Sequence, residues 1–115
     1  MVINKCRNVY LEDIVKSIQG GEDIYLVTAD LAAPCLDQFR VDYPKRYVAV
    51  GIAEQKLIAV AGGLALVGKR TIAYAANPFP AFRAFDQFRN FVCFMNLPVA
   101  LVGVGAGFHT TECGF

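Results

Sequence analysis

The sequence has no apolar run of the roughly 18 residues that a membrane-spanning helix requires. It has no block of like charge either: Lys and Arg total 11, Asp and Glu total 10, and the formal net charge is +1. That balance leaves no basic stripe for nucleic acid and no polybasic patch for a membrane surface. The four cysteines, Cys6, Cys35, Cys93 and Cys113, lie far apart and form no C-x-x-C pair, so metal and disulfide spacing are both missing. They read as free thiols in a reducing compartment. There is one histidine, His109, and a lone histidine in a late loop is read as solvated rather than catalytic. Gly103, Gly105 and Gly107 lack the following helix and the spacing of a nucleotide fingerprint. Met1 to Asn8 carries basic residues with no apolar stretch behind them, so it does not read as a signal peptide, and a cytoplasmic setting is expected. Repeats, linkers and low-complexity segments are absent.

What the sequence does have is apolar content, 56% of its 115 residues. An ordinary globular chain has about 45–50%. One domain is the ceiling at this length, and such a chain buries about 65% of its unfolded surface. The excess has two readings: a parallel sheet covered on both faces, or surface that a partner covers.

Local patterns favour alternating helices and strands. Tyr10, Leu11, Ile14, Val15 and Ile18 have helical spacing, ended by Gly20-Gly21. Ile24 to Thr28 is a short β-rich apolar run and reads as a strand. A helix or turn is expected over Leu36 to Tyr43, a strand over Arg46 to Val50, a helix over Ile52 to Val67 and a strand over Thr71 to Ala75. An amphipathic helix is expected over Pro78 to Met95 and a fourth strand over Val99 to Val104. Strands apolar on both sides, separated by helices, predict an α/β fold: three layers, a mainly parallel sheet with helices on both faces. Residues 1–115 then form a single, partial domain, incomplete at its C-terminus, because such a sheet ordinarily continues with another helix and strand. Ligands of these sheets bind outside the carboxyl ends of the strands. Asp30, Gly51 to Glu54, Asn77 to Phe79 and Gly105 to Glu112 fall there.

Three features at those ends could carry chemistry. Glu54 lies in the first turn of a helix, where the dipole favours a carboxylate by about 0.3–1 kcal/mol; position alone supports nothing more than that. The helix behind it, however, is almost wholly apolar, as expected of a helix buried on all sides. Its small residues Ala59, Ala61, Gly62 and Gly63 permit close approach of another element. A carboxylate at the mouth of such a helix sits in a partly dry site that promotes keeping or sharing a proton. Phe79, Phe82 and Phe85 recur every three residues and continue through Phe88, Phe91 and Phe94. The later three read as a core stripe; the first three could form an aromatic pocket for a flat heterocycle, although spacing alone does not decide it. Asp30, after the first strand, reads as a turn or cap residue.

Several segments in order resemble one family. Val50-Gly51-Ile52-Ala53-Glu54-Gln55, Ala61-Gly62-Gly63-Leu64-Ala65, Phe79 to Phe85, Ala84-Phe85-Asp86-Gln87-Phe88-Arg89-Asn90 and Asn96-Leu97-Pro98-Val99 are similar to the pyrimidine-binding domain of transketolases. The C-terminal sections of split transketolases and the deoxyxylulose-phosphate synthases are the nearest in pattern, and the similarity runs from about Thr28 to Gly114. The resemblance implies a thiamine-diphosphate enzyme transferring a two-carbon ketol unit. It makes Glu54 the catalytic residue: the family's glutamate hydrogen-bonds N1′ of the cofactor's aminopyrimidine and favours the imino tautomer, whose nitrogen takes the proton from C2 of the thiazolium. By the same resemblance Phe79, Phe82 and Phe85 pack on the pyrimidine ring, and Asp30 matches an aspartate near the cofactor.

The departures fall on substrate residues. Ala33-Pro34-Cys35 stands where many transketolases have a serine for substrate phosphate. The family's histidine after the fourth strand is replaced near Gly105, and Glu-Asp-Gly becomes Glu112-Cys113-Gly114. A phosphorylated sugar substrate is therefore not implied. The Gly-Asp-Gly…Asn motif that holds the diphosphate and Mg²⁺ in the family is absent from this sequence. The expectation is a subunit or fragment that is active only with a diphosphate-binding domain or subunit, in a homo- or hetero-oligomer with the site at the interface. Two alternatives stand beside it: a non-catalytic interaction or regulatory domain retaining the fold, and part of a decarboxylating synthase using pyruvate.

Overall fold

The computed structural model describes residues 6–105. Among them the alternation predicted from the sequence is realised. Helix α1 covers Cys6–Gln19, strand β1 Ile24–Thr28, helix α2 Pro34–Asp42, strand β2 Tyr47–Ala49, helix α3 Glu54–Leu66 and strand β3 Arg70–Ala76. Short helices α4 (Phe79–Phe82) and α5 (Phe85–Gln87) follow, then a π-helical segment, Phe88–Cys93, and strand β4, Val99–Val104. His109 and the Glu112-Cys113-Gly114 motif lie outside the described residues.

The four strands form one all-parallel sheet in the order β2-β1-β3-β4. Successive strand residues point to opposite faces, and both faces are covered. On one face Leu26, Ile72 and Tyr74 meet Leu11 and Ile14 of α1 and Leu36 and Phe39 of α2. On the other, Val27, Ala29, Ala73 and Ala75 meet Leu57, Ile58 and Ala61 of α3, with Ala84 and Val92 behind. This is the three-layer α/β fold that the apolar runs predicted.

Two expectations are corrected. The segment from Pro78 to Met95 is three short pieces rather than one amphipathic helix. Phenylalanine at every third position drifts by about 60° per step around an α-helix, so a straight helix cannot keep all six rings on one side. The non-helical backbone of Ala84 (φ −112°, ψ 22°) divides the run instead, and Pro80 sits in the first turn of α4, where proline is tolerated. Phe88 packs on the core, whereas Phe94 is 86% exposed and does not belong to a core stripe. Helix α3 is also not enclosed on all sides within this chain: Ala59, Gly63 and Leu66 face outward. The close approach expected of its small residues occurs at Gly62, where a Cβ would stand 2.3 Å from Cε1 of Phe91.

Candidate functional site

The carboxyl ends of the strands are drawn together by backbone hydrogen bonds that continue past the strands. Val50 N–H donates to Thr28 O (2.9 Å), Ala29 N–H to Tyr74 O (3.2 Å) and Asn77 N–H to Val104 O (2.8 Å). The chain then leaves β1 and β2 through left-handed residues, Asp30 (φ 44°) and Gly51 (φ 76°). Aspartate tolerates that region because its short side chain can bond locally, and glycine because it has no Cβ. The turn at Gly51 lets α3 begin at once, with Ala53 N–H donating back to Gly51 O at 2.8 Å.

Glu54 is the first residue of α3 and is 4% exposed. No side chain caps the helix, and a carboxylate in its first turn is favoured by the positive end of the dipole. Its side-chain partner is Arg83, whose Nη1 donates to Oε2 at 3.0 Å. The same guanidinium lies over the ring of Phe79, 4.8 Å from the centroid. Gln55 Nε2 donates to the carbonyl of Arg83 at 3.5 Å and ties α4 to α3. Glu54 and Phe79, 25 positions apart, are thus joined through one arginine.

The other residues singled out from the sequence are placed differently. Phe82 is 80% and Phe85 60% exposed, so their rings face outward beside the Glu54 cluster instead of closing over it. Ile52, two residues before Glu54, is 76% exposed as well. Asp30 is exposed after β1 and makes no side-chain hydrogen bond or ion pair with the described residues. Arg83 was not singled out in the sequence. Its signal was there, since it is the one charged residue between Asn77 and Phe85. Two open recesses, of about 380 and 390 Å³, lie elsewhere, between α1 and α2 and at the amino ends of β1, β3 and β4; neither includes Glu54. Among the described residues no cluster of three or more His, Cys, Asp or Glu could hold a metal ion.

An all-parallel α/β sheet with a buried carboxylate and aromatic rings at its carboxyl edge defines a class of ligand-binding domains. The family model "Transketolase, pyrimidine binding domain" matches residues 5–114, and the chain belongs to that family. It is 38% identical over 101 residues to one subunit of the apulose-4-phosphate transketolase of Actinobacillus succinogenes, covering 87% of this chain and 32% of that one. It is 32% identical over 109 residues to a putative transketolase C-terminal section of Methanocaldococcus jannaschii, covering 94% and 34%. To the 1-deoxy-D-xylulose-5-phosphate synthase of Corynebacterium glutamicum it is 38% identical over 96 residues, covering 83% and 15%. A solved split-gene transketolase, described as an inactive beta4 tetramer, superposes with a TM-score of 0.76 at 36% identity, covering 84% of this chain and 32% of that one. The chain therefore spans about a third of the split relatives and a smaller share of the synthase. Membership of this family implies dependence on thiamine diphosphate.

The residues present fit the pyrimidine end of that cofactor. A ring nitrogen needs a hydrogen-bonding carboxyl shielded from water, and Glu54 is such a group. A flat heterocycle needs an aromatic face, and Phe79 is half-buried next to it, held through Arg83.

Proposed function

We propose that this chain supplies the aminopyrimidine half of a thiamine-diphosphate site and that a diphosphate-binding domain or subunit supplies the other half, together with its Mg²⁺. Bound thiamine diphosphate would supply an acidic thiazolium carbon which, once deprotonated, is a nucleophile for a ketose or ketoacid carbonyl. Glu54 holds or shares a proton at the ring nitrogen of the aminopyrimidine, as a general acid–base group in a water-poor place. Phe79 offers a ring face, Phe82 and Phe85 extend the apolar wall once a partner covers them, and Asp30, exposed after β1, lies near the cofactor and supports the site. The reaction is transfer of a two-carbon ketol unit. The observation that carries this reading is a carboxylate buried at the start of α3, on the carboxyl edge of the sheet, beside an aromatic ring.

The exposed Ile52, Phe82, Phe85 and Leu66 support a partner on the α3 side of the sheet. A relative's description as an inactive tetramer of one subunit type supports a chain that needs a complementary subunit. Reconstitution with the diphosphate-binding partner, with Glu54→Gln and Glu54→Ala beside the unaltered chain, is the test. Activity that survives both substitutions unchanged defeats the assignment.

The altered positions Ala33-Pro34-Cys35 favour a second reading, a non-catalytic interaction domain that retains the fold. Calorimetric titration of the reconstituted complex with thiamine diphosphate separates the two, because only the first requires binding. Similarity to a 1-deoxy-D-xylulose-5-phosphate synthase keeps pyruvate among the donors to be assayed.

A further inference from the structure

We propose that Arg83 is the positioning residue for Glu54, fixing which carboxyl oxygen faces the pyrimidine; the inference rests on the function proposed above. Nη1 of Arg83 donates to Oε2 of Glu54 at 3.0 Å. That bond stops the carboxylate from turning freely and leaves Oε1 as the oxygen to present to a ring nitrogen. The guanidinium carbon lies over the Phe79 ring, 4.8 Å from its centroid, so the group that orients the carboxylate also contacts the ring beside it. Arg83 is itself braced through its backbone. Its N–H donates to Phe79 O at 2.9 Å and its carbonyl accepts from Gln55 Nε2 at 3.5 Å.

The competing view is an ordinary surface ion pair, since the Arg83 side chain is 52% exposed. Burial of the partner argues against it. The Glu54 side chain is 5% exposed, and no other side chain among the described residues donates to it. Removing Arg83 leaves a buried carboxylate without its cation, free to turn. Lysine does not substitute, because a compact, strongly hydrated ammonium on a flexible stem cannot hold the carboxylate and meet the Phe79 ring with one rigid, delocalised group.

The test uses the assembled holoenzyme, with thiamine diphosphate and Mg²⁺ as probes. Two readouts need no substrate: cofactor affinity by calorimetry, and the rate at which the C2 hydrogen of bound thiamine diphosphate exchanges with deuterated water. Arg83→Met is expected to slow exchange by about tenfold to a hundredfold, the usual consequence of a misplaced reacting group, with a smaller change in affinity. Arg83→Lys recovers little of the loss. Guanidinium added to Arg83→Ala restores exchange, whereas ammonium does not. Exchange near the unaltered rate in Arg83→Met, or no guanidinium rescue while the cofactor stays bound, overturns the proposal. If Arg83→Met does not assemble, Arg83→Lys, which keeps the buried pair charged, carries the same comparison. Glu54→Ala serves as the reference. Normal exchange there overturns the Glu54 assignment and Arg83 with it; slow exchange there with normal exchange in Arg83→Met overturns Arg83 alone.

Discussion

The two ends of the sheet treat charge in opposite ways. At the amino ends of the strands, Asp23 receives Arg46 Nη1 on one oxygen and Lys69 Nζ on the other, each at 2.6 Å, and Arg70 pairs with Glu22. Arg46 and Lys69 also flank the ring of Tyr25, at 5.8 and 5.6 Å from its centroid. These groups are open to solvent and satisfy one another, so they lock the starts of β1, β2 and β3 and ask for nothing else. At the carboxyl ends a single carboxylate is buried, one half-exposed arginine holds it, and phenylalanines stand uncovered beside it. One end is closed on itself, and the other leaves apolar rings exposed beside a buried carboxylate. The contrast matches the proposed division, with chemistry and assembly at one edge and passive stability at the other.

The largest effect should come from the open end. Glu54→Ala in the reconstituted enzyme is expected to lower turnover by about 10²–10⁴-fold, the usual worth of a positioned acid–base group. Substitution of Asp23, at the closed end, should leave turnover near normal. Steady-state kinetics on the two variants checks the contrast directly, and equal losses would erase it.

Next comes the packing that holds α3 beneath the site. A Cβ on Gly62 would stand 2.3 Å from the Phe91 ring, while Gly63, one residue on, has nothing within 4 Å. Gly62→Val is expected to cost about 1–3 kcal/mol by overpacking. Gly63→Ala should instead gain up to about 1 kcal/mol from helix propensity. Urea denaturation of the full-length protein compares them. Equal responses would mean that Phe91 swings aside and that the close approach does not matter.

These particulars show what the sequence could and could not reveal. Strands β1 and β4 are legible to the residue: β4 is bracketed by Pro98 and Gly105, and the β-rich run of β1 is set off by Gly20-Gly21 before it and Asp30 after it. The buried placement of Glu54 at the start of α3 was legible through the turn glycine before it and the apolar helix behind it. The fate of the phenylalanines was not. A three-residue period does not match the 3.6 residues per turn of an α-helix, and the outcome rests on the break at Ala84, a tertiary matter. Arg83 escaped notice because its partner is 29 positions away and no local pattern couples them.

Tyr74 sets a smaller effect in the middle of the sheet. It is 1% exposed, and its hydroxyl has no hydrogen-bond partner among the described residues. Burial pushes its pKa up to about 12, against about 10 in an unfolded chain. The folded state therefore keeps the proton longer than the unfolded state. The stabilisation linked to this is complete below pH 10 or so and is lost as pH rises towards 12. Tyr74→Phe should remove that alkaline loss. It should also raise stability at neutral pH by about 1 kcal/mol, because an unsatisfied hydroxyl leaves the core. Denaturation at neutral and alkaline pH checks both, and a less stable Phe variant would mean that the hydroxyl is bonded in the full-length protein.

The smallest effect belongs to the closed end. Hydrogen bonds from Lys69 and Arg46 hold the Asp23 carboxyl below the usual carboxylate range, and the matching bond raises Lys69. The lowered carboxyl contributes stability that is present above its ordinary pKa and lost as pH falls through its depressed value. The raised ammonium contributes stability that is lost only in strong base, so both contributions are in force at neutral pH. Because the groups are solvent-exposed, salt screens them. Asp23→Asn should therefore cause a small drop in melting temperature at low ionic strength that shrinks when salt is added. A drop that persists in high salt would show that Asp23 acts by bracing the strand starts through hydrogen-bond geometry, which asparagine reproduces only in part. The closed end would then be a fixed joint, not a charge balance, and the asymmetry between the two edges would be one of shape as much as of electrostatics.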